Sequence, residues 1–248
     1  MQSGYRRTVS ENPRQDLADL LSDVRGGGSF STRRTAPPGD LFIQVRDVGP
    51  LRMPVTARQA KELRLVARPA QYGKGEETLL DRRVRDTWTV PLSRVSIDKR
   101  RWNSTLRPML DMVRGDLGLA PTSSLAAELH SVLVYEPGQF FAAHQDSEKA
   151  DRMIGSLVVV LPSRCVGGDL VVSHRGETTT YRGSPAALTF IAFYADTRHE
   201  VLPVESGYRV ALTYNLLLSG DSISTAADVV TPAQSPIVAA LLARHFSR

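Results

Sequence analysis

Two of the five histidines in this 248-residue chain stand in a pattern that favours metal binding. His144 and Asp146 are two positions apart, so on an extended strand both side chains point to one face. His199, which opens the strand-like run His-Glu-Val-Leu-Pro-Val, is the candidate third ligand. Two histidines and one carboxylate that leave coordination positions open form the facial triad of non-haem Fe(II) oxygenases. The His-Glu-x-x-His spacing of many zinc sites does not occur in the chain.

Arg209 is a candidate binding residue because it stands ten positions after His199 in an apolar run. An arginine is costly to bury unless an anion pairs with it, and its planar fork binds a carboxylate through two parallel hydrogen bonds. Beside a triad metal it suits a 2-oxo dicarboxylate, whose keto acid end chelates the metal while its distal carboxylate meets the guanidinium. A structural ion pair with Glu205 or Glu200 is the alternative interpretation.

Four elements, in this order and spacing, resemble the prolyl 4-hydroxylase-type domain of 2-oxoglutarate/Fe(II) dioxygenases. They are the segment from Tyr135 to Asp146, the run Gly167-Gly168-Asp169-Leu170, the run from His199 to Val204, and Arg209. The resemblance covers about residues 126–218. It implies a double-stranded β-helix, a jelly-roll and cupin-like barrel, with the metal at its mouth.

The resemblance also implies roles for individual residues. His144, Asp146 and His199 match the metal ligands, Arg209 matches the basic anchor of 2-oxoglutarate, and Tyr135 matches a tyrosine that often reaches the same co-substrate. Some relatives share the distal carboxylate with a further tyrosine, which has an aliphatic equivalent here. Thr213 and Thr189 are the candidates to assist Arg209 instead.

The activity that the resemblance implies is hydroxylation of an unactivated C–H bond. Fe(II), 2-oxoglutarate and O2 take part, succinate and CO2 are released, and ascorbate serves as reductant. The substrate is a peptide or a small molecule, with peptidyl proline as the family default. One alternative is a tailoring oxygenase that hydroxylates, desaturates or cyclises a natural product or free amino acid. Another is a non-catalytic cupin-like binding module, against which the complete triad counts.

The predicted fold class is α+β dominated by β, with N-terminal helices that buttress the barrel. Short apolar runs separated by turn residues predict strands at 41–45, 88–90, 129–135, 154–161, 169–173, 187–194, 200–204 and 208–218. Helical spacing of apolar residues predicts helices at 17–24, 106–117 and 237–243, and Thr56 followed by Gln59 resembles a capping box that opens a helix at 56–66. The predicted organisation is one structural domain with these parts: a loose leader at 1–14, a helical and strand support region at 15–125, the catalytic core at 126–218, and a linker with a C-terminal helix at 219–248.

The segment 72–88 is a candidate lid over the substrate. It begins with a Gly-bearing loop at 72–78 and continues with Arg82, Arg83 and Arg85, which as part of a lid would favour acidic groups on the substrate. Residues 1–130 carry 22 Lys and Arg against 15 Asp and Glu, whereas residues 131–248 carry 9 against 11. No basic stripe with interleaved aromatic residues is present, so nucleic acid is not expected as a partner.

The cysteine content and the hydropathy pattern bear on the cellular compartment. Cys165 is the one cysteine, which excludes a disulfide framework. No run approaches the roughly 20 apolar residues of a membrane span, and the start of the chain is polar. We therefore expect a cytoplasmic protein without membrane association. The sequence leaves the oligomeric state open.

Overall fold

The computed structural model describes residues 27–74, 77–146 and 152–219. The predicted helices at 17–24 and 237–243 lie outside these residues. No helix in the described ranges is long and apolar enough to cross a membrane.

Two helices cover one side of the structure. Helix α1 (Ala57–Val66) begins at Thr56, whose hydroxyl accepts a hydrogen bond from the backbone N–H of Gln59 while the Gln59 side chain accepts one from the N–H of Thr56. This reciprocal capping box confirms the predicted start. Helix α2 (Lys99–Asp116) begins at Asp98, whose carboxylate accepts hydrogen bonds from the first turn. It therefore starts earlier than the apolar spacing at 106–117 indicates.

Most of the remaining described chain is β-strand, with short 3-10 turns at Pro38–Asp40 and Leu92–Arg94. The strands are β1 (Ser31–Ala36), β2 (Ile43–Val45), β3 (Gly49–Pro50), β4 (Arg68–Pro69), β5 (Tyr72–Lys74), β6 (Glu77–Leu79), β7 (Arg85–Asp86), β8 (Trp88–Val90), β9 (Val95–Ile97), β10 (Ser124–Tyr135), β11 (Phe140–His144), β12 (Met153–Val160), β13 (Cys165–Gly167), β14 (Leu170–His174), β15 (Glu177–Tyr181), β16 (Leu188–Tyr194), β17 (Arg198–Val201), β18 (Val204–Gly207) and β19 (Arg209–Ser219).

Two antiparallel sheets face each other. The large sheet has seven strands in the order β1-β16-β12-β19-β10-β8-β4, and the small sheet has five in the order β15-β14-β17-β11-β7. From β10 onward the chain crosses repeatedly from one sheet to the other: β10, β12, β16 and β19 belong to the large sheet, and β11, β14, β15 and β17 to the small one. This alternation is a double-stranded β-helix, which confirms the predicted fold class.

The region before residue 126 supplies strands as well as helices. β1 pairs with β16 at one edge of the large sheet, β8 pairs with β10 near the other edge, and β7 pairs with β11 in the small sheet. The N-terminal region therefore extends both sheets, in addition to the buttressing that was expected of it. The boundary between support region and core at 125/126 stays a prediction.

The Gly-bearing segment 72–78 was predicted to be a loop, and this prediction is wrong for residues 72–74 and 77–78, which are β-strand. Strands β5 and β6 pair as a hairpin, with Tyr72 opposite Leu79 and Lys74 opposite Glu77. Backbone pairing with Thr78 outweighs the turn tendency of Gly73.

The two faces of the large sheet bury different sets of side chains. The outer face packs against α1 and α2 through an apolar core that includes Leu63, Trp102, Leu157, Phe190 and Leu212. The inner face packs against the small sheet through a second apolar cluster, and polar side chains interrupt that cluster at one end. Those polar side chains form the site described next.

Candidate functional site

His144 and His199 meet across the small sheet. His144 ends β11 and His199 lies in β17, and the two residues are direct partners in the antiparallel pairing. The Nδ1 of His144 lies 2.9 Å from the carbonyl of Ala142, and the Nδ1 of His199 lies 3.3 Å from the carbonyl of Thr197. A carbonyl oxygen can only accept, so each Nδ1 carries the proton. Each Nε2 is then left with a lone pair, as a metal ligand requires.

Asp146 joins the two imidazoles from just beyond the end of β11. One of its carboxylate oxygens lies 3.9 Å from Nε2 of His144 and the other lies 3.8 Å from Nε2 of His199. One candidate ligand atom from each of the three residues lies within 4.8 Å of the others. The donor set, two imidazole nitrogens and one carboxylate oxygen on one side, fits Fe(II) in a facial triad. The structure thus brings the three predicted residues together, and their role as ligands stays a prediction.

Burial sets the protonation state of the histidines. Loss of water lowers the pKa of His144 to about 4, with His199 as a further cause, and burial likewise lowers the pKa of His199. The Asp146 carboxylate raises both values in part. Both imidazoles are therefore neutral at pH 7, the form that binds a metal.

Aromatic rings hold the imidazoles in place. Phe141 stacks on His144 with ring centroids 3.6 Å apart, and the ring of Phe193 lies 4.5 Å from that of His199. Because each ring also has a hydrogen bond at Nδ1, rotation about its side-chain bonds is opposed from two directions.

Ser156 is a member of the site that sequence reasoning missed. Its hydroxyl donates to an oxygen of Asp146 at 2.5 Å from β12 of the large sheet, and its side chain is buried. This hydrogen bond orients the carboxylate toward the two histidines. The sequence contains no local signal for it, because the contact depends on how the two sheets face each other.

Arg209 lies at the start of β19, directly opposite Tyr135 on β10. Its side chain is 4% exposed, and the guanidinium carbon lies 5.2 Å from the Tyr135 ring centroid. Burial lowers the pKa of Arg209, although an arginine remains charged. The structural ion pair considered from the sequence is not formed: within the described ranges Arg209 has no ion pair with Glu200, Glu205 or any other carboxylate.

A cavity of about 470 Å³ connects these residues. The three candidate ligands, Tyr135 and Arg209 all line it. Thr213, one of the two threonines considered as a helper of Arg209, also lines it and shares a hydrogen bond of 2.6 Å with Ser131. Thr189 is fully buried and is not among the residues that line the cavity.

The three arginines of the candidate lid have different positions. Arg82 pairs with Asp86 and Arg83 pairs with Asp81, and both arginines are exposed. Arg85 instead lines the cavity, with its guanidinium carbon 4.4 Å from the Phe141 ring centroid. The sequence did not distinguish Arg85 from its two neighbours.

Comparison with known proteins agrees with this geometry. Residues 130–217 match the family model of the 2OG-Fe(II) oxygenase superfamily. The sequence is 28% identical over an alignment of 160 positions to a PKHD-type hydroxylase of Synechococcus elongatus, and the alignment covers 57% of this chain and 71% of the relative.

Two solved structures were also found to be similar. An oxidoreductase of the 2OG-Fe(II) oxygenase family from Burkholderia pseudomallei has 16% identity and a TM-score of 0.45, covering 85% of this chain and 93% of that one. A prolyl-4-hydroxylase from Pseudomonas putida has 18% identity and a TM-score of 0.48, covering 82% and 100%.

The matched segment contains the histidines, the aspartate and Arg209 within a double-stranded β-helix. Residues 130–217 are therefore similar to the 2OG-Fe(II) oxygenase superfamily, a class of oxidoreductases that use Fe(II), 2-oxoglutarate and O2.

Proposed function

We propose that the protein is an Fe(II)- and 2-oxoglutarate-dependent dioxygenase that hydroxylates an unactivated C–H bond, in the manner of prolyl 4-hydroxylases, and releases succinate and CO2. The observation that carries this proposal is the cluster of His144, Asp146 and His199, with candidate ligand atoms within 4.8 Å of one another in a cavity that also contains Arg209. A dicarboxylate that chelates a metal needs the metal held by this cluster at one end and a cation such as Arg209 at the other.

The proposed metal ligands are His144, Asp146 and His199. Bound iron would supply the Lewis acidity and the redox chemistry that amino-acid side chains lack. The protein orients the ligands through the carbonyls of Ala142 and Thr197 and through the hydroxyl of Ser156.

Arg209 is the proposed anchor for the distal carboxylate of 2-oxoglutarate. Its guanidinium is buried without a carboxylate partner among the described residues, so a bound anion would satisfy a charge that is otherwise costly in this position. Tyr135 lines the same cavity beside it, and we propose that its hydroxyl contacts the co-substrate. Apolar side chains of Leu170, Phe193 and Val201 form the walls and limit the access of water.

The substrate is proposed to be a peptide or a small molecule, with peptidyl proline as the first candidate. Similarity to a PKHD-type hydroxylase supports hydroxylation as the outcome. Ascorbate as reductant, a cytoplasmic location and a lid at 72–88 stay predictions.

The deciding experiment measures whether the purified protein converts 2-oxoglutarate to succinate in the presence of Fe(II), ascorbate and O2. We expect slow turnover without added substrate and faster turnover when a peptide or metabolite is accepted, with a mass gain of one oxygen atom in that molecule. A mass loss of two hydrogens would favour the tailoring alternative. If the wild-type protein forms no more succinate than the His144→Ala variant, the dioxygenase proposal is wrong and a binding module is favoured.

A further inference from the structure

The side chains that line the cavity carry a net positive charge that iron and 2-oxoglutarate together do not neutralise. Among the described residues that line it are three arginines, Arg68, Arg85 and Arg209, and a single carboxylate, that of Asp146. The two positive charges of Fe(II) and the two negative charges of 2-oxoglutarate cancel. The loaded cavity therefore keeps a net positive charge from its own side chains, which favours a further anion.

Of these three arginines, Arg85 is the one best placed to bind that anion. It lies on β7, the edge strand of the small sheet, with its guanidinium over the Phe141 ring. Its Nη1 donates to the carbonyl of Gln71 at 2.7 Å, which holds the head group in place. Its Nε is buried without a hydrogen-bond partner among the described residues. A buried donor without a partner is costly, so this atom marks a place where a ligand would be stabilised.

The position of Arg85 separates it from the co-substrate anchor. Arg85 is half-buried and its hydrogen-bond partner Gln71 is exposed, whereas Arg209 is almost fully buried. In the proposed function, the metal and Arg209 take up the two carboxylates of 2-oxoglutarate. Arg85 interacts with Tyr135 and with the Asp146 carboxylate at the side of this site, and its Nε remains for the molecule that enters last.

We propose that Arg85 binds a carboxylate of the substrate, so that the enzyme selects substrates with an acidic group close to the oxidised carbon. This inference rests on the proposed function and adds a substrate class to it. Because Nη1 donates to Gln71, Nε is the buried N–H that is left for a ligand, and a carboxylate oxygen is an acceptor that a guanidinium N–H binds strongly. The carboxylate is either an acidic side chain next to a peptidyl proline or the free carboxylate of an amino acid.

The test uses two pairs of probes, each an acid with its amide. Acetyl-Pro-Asp-amide and acetyl-Pro-Asn-amide represent the side-chain carboxylate, and L-proline and L-prolinamide represent the free one. Each probe is titrated by calorimetry into protein loaded with Zn(II) and N-oxalylglycine, a combination that binds without turnover. The same probes are then given to protein with Fe(II) and 2-oxoglutarate, and oxygen insertion is read by mass.

The matched variants are Arg85→Gln and Arg83→Gln. Both remove one positive charge from the same segment, but Arg83 pairs with Asp81 on the surface. We expect the wild type and Arg83→Gln to bind the acid of one pair about tenfold or more tightly than its amide, the range of a desolvated charge contact. Arg85→Gln should lose this preference while its affinity for 2-oxoglutarate stays within about twofold of the wild type, since it leaves the anchor in place.

Three results would overturn the assignment. The first is that the wild type binds acid and amide equally, or binds neither, in both pairs. The second is that Arg83→Gln loses its preference for the acid as fully as Arg85→Gln does. The third is that the affinity of Arg85→Gln for 2-oxoglutarate falls by a larger factor than its preference for the acid. Succinate formation without any probe keeps the two proposals apart. If it persists while the acid preference is absent, the dioxygenase proposal stands and the Arg85 assignment is wrong. If it is absent in the wild type, the dioxygenase proposal is wrong whatever the calorimetry shows.

Discussion

Phe190 and Phe193 lie three residues apart on β16, each 1% exposed, and they point to opposite faces of the large sheet. On the outer face, Phe190 stacks on Trp102 of α2 with ring centroids 5.8 Å apart. On the inner face, Phe193 lies 4.5 Å from the imidazole of His199. One strand therefore supports the helical layer with one aromatic ring and orients a candidate metal ligand with the other.

The two faces also differ in how they treat polar groups. In the outer core, the indole N–H of Trp102 donates to the hydroxyl of Tyr214 at 3.1 Å, so these buried polar atoms are satisfied within the protein. On the inner face, Arg209 is buried without a carboxylate partner among the described residues. On the outer face this buried polar pair needs no ligand, whereas the inner face buries a charge that a bound anion would pair with. Substitutions on the two faces should therefore have different consequences.

The largest effect is expected on the inner face, from loss of a metal ligand. His144→Ala or His199→Ala should abolish iron binding and 2-oxoglutarate turnover, because two remaining ligands hold the metal poorly. The thermal unfolding transition without metal should stay close to that of the wild type, since neither residue belongs to the apolar cores. Iron titration, succinate formation and circular dichroism check this expectation. Full activity in either variant would contradict the assigned triad.

Phe190→Ala tests the outer face. Removal of this buried ring should lower the free energy of unfolding by about 3–5 kcal/mol through lost burial and a cavity. The fraction that stays folded should bind iron normally, because the ring contacts α2 rather than the site. Phe193→Ala is the matched variant, and it should lose both stability and iron affinity. Denaturant unfolding and iron titration measure the two effects separately. Equal iron affinities of Phe190→Ala and Phe193→Ala would show that the two faces do not act independently.

Arg209→Ala should act on co-substrate binding alone. Loss of a desolvated charge contact costs about 2–5 kcal/mol, so the 2-oxoglutarate concentration needed for half-maximal turnover should rise well over tenfold. Arg209→Lys should be milder because it keeps the charge. Steady-state kinetics measure the effect. A variant that loses stability but keeps its affinity for 2-oxoglutarate would favour a structural role for Arg209.

Ser156→Ala should weaken iron binding without removing a ligand. Loss of a hydrogen bond from a neighbouring residue to a metal ligand typically lowers metal affinity roughly 10–100-fold. The Ser156 hydroxyl donates such a bond to Asp146. Ser163→Ala is the control, because Ser163 is also buried but donates to the carbonyl of Tyr208 away from the cluster. Iron titration should distinguish the two variants, and a similar loss in both would contradict the positioning role.

The smallest effect concerns the ion pair that ties β1 to α2. Asp116 accepts hydrogen bonds from Arg34 and Thr32, and the Arg34 guanidinium, followed by the Thr32 hydroxyl, lowers the pKa of Asp116 against the effect of burial. A depressed carboxyl pKa contributes stability above the unfolded pKa, and this contribution is lost as the pH falls through the folded pKa. Asp116→Asn should thus destabilise slightly at pH 7, and the difference should vanish at strongly acidic pH. A difference that is independent of pH would exclude this origin.

Much of the fold and of the candidate site could be predicted from the sequence. The strands of the barrel follow runs of apolar residues, and the pairing of His144, Asp146 and His199 was expected from residue types and spacing. β1 was missed because its sequence, Ser-Thr-Arg-Arg-Thr-Ala, is polar and exposed along most of an edge strand. Ser156 was missed as a site residue because its partner Asp146 lies just beyond the end of another strand and no local pattern marks the contact. Arg85 was expected to face the substrate, but the sequence did not distinguish it from Arg82 and Arg83.

The direct pairing of His144 with His199 would link the proposed metal binding to folding. His144 and Asp146 are close together along the chain, whereas His199 lies beside them only when β17 is paired with β11. A metal that binds all three residues therefore stabilises the closed barrel and has little affinity for partly folded chains. In a cell, iron supply would then set the lifetime of this protein as well as its activity, because the metal-free barrel opens to proteases more often than the loaded one.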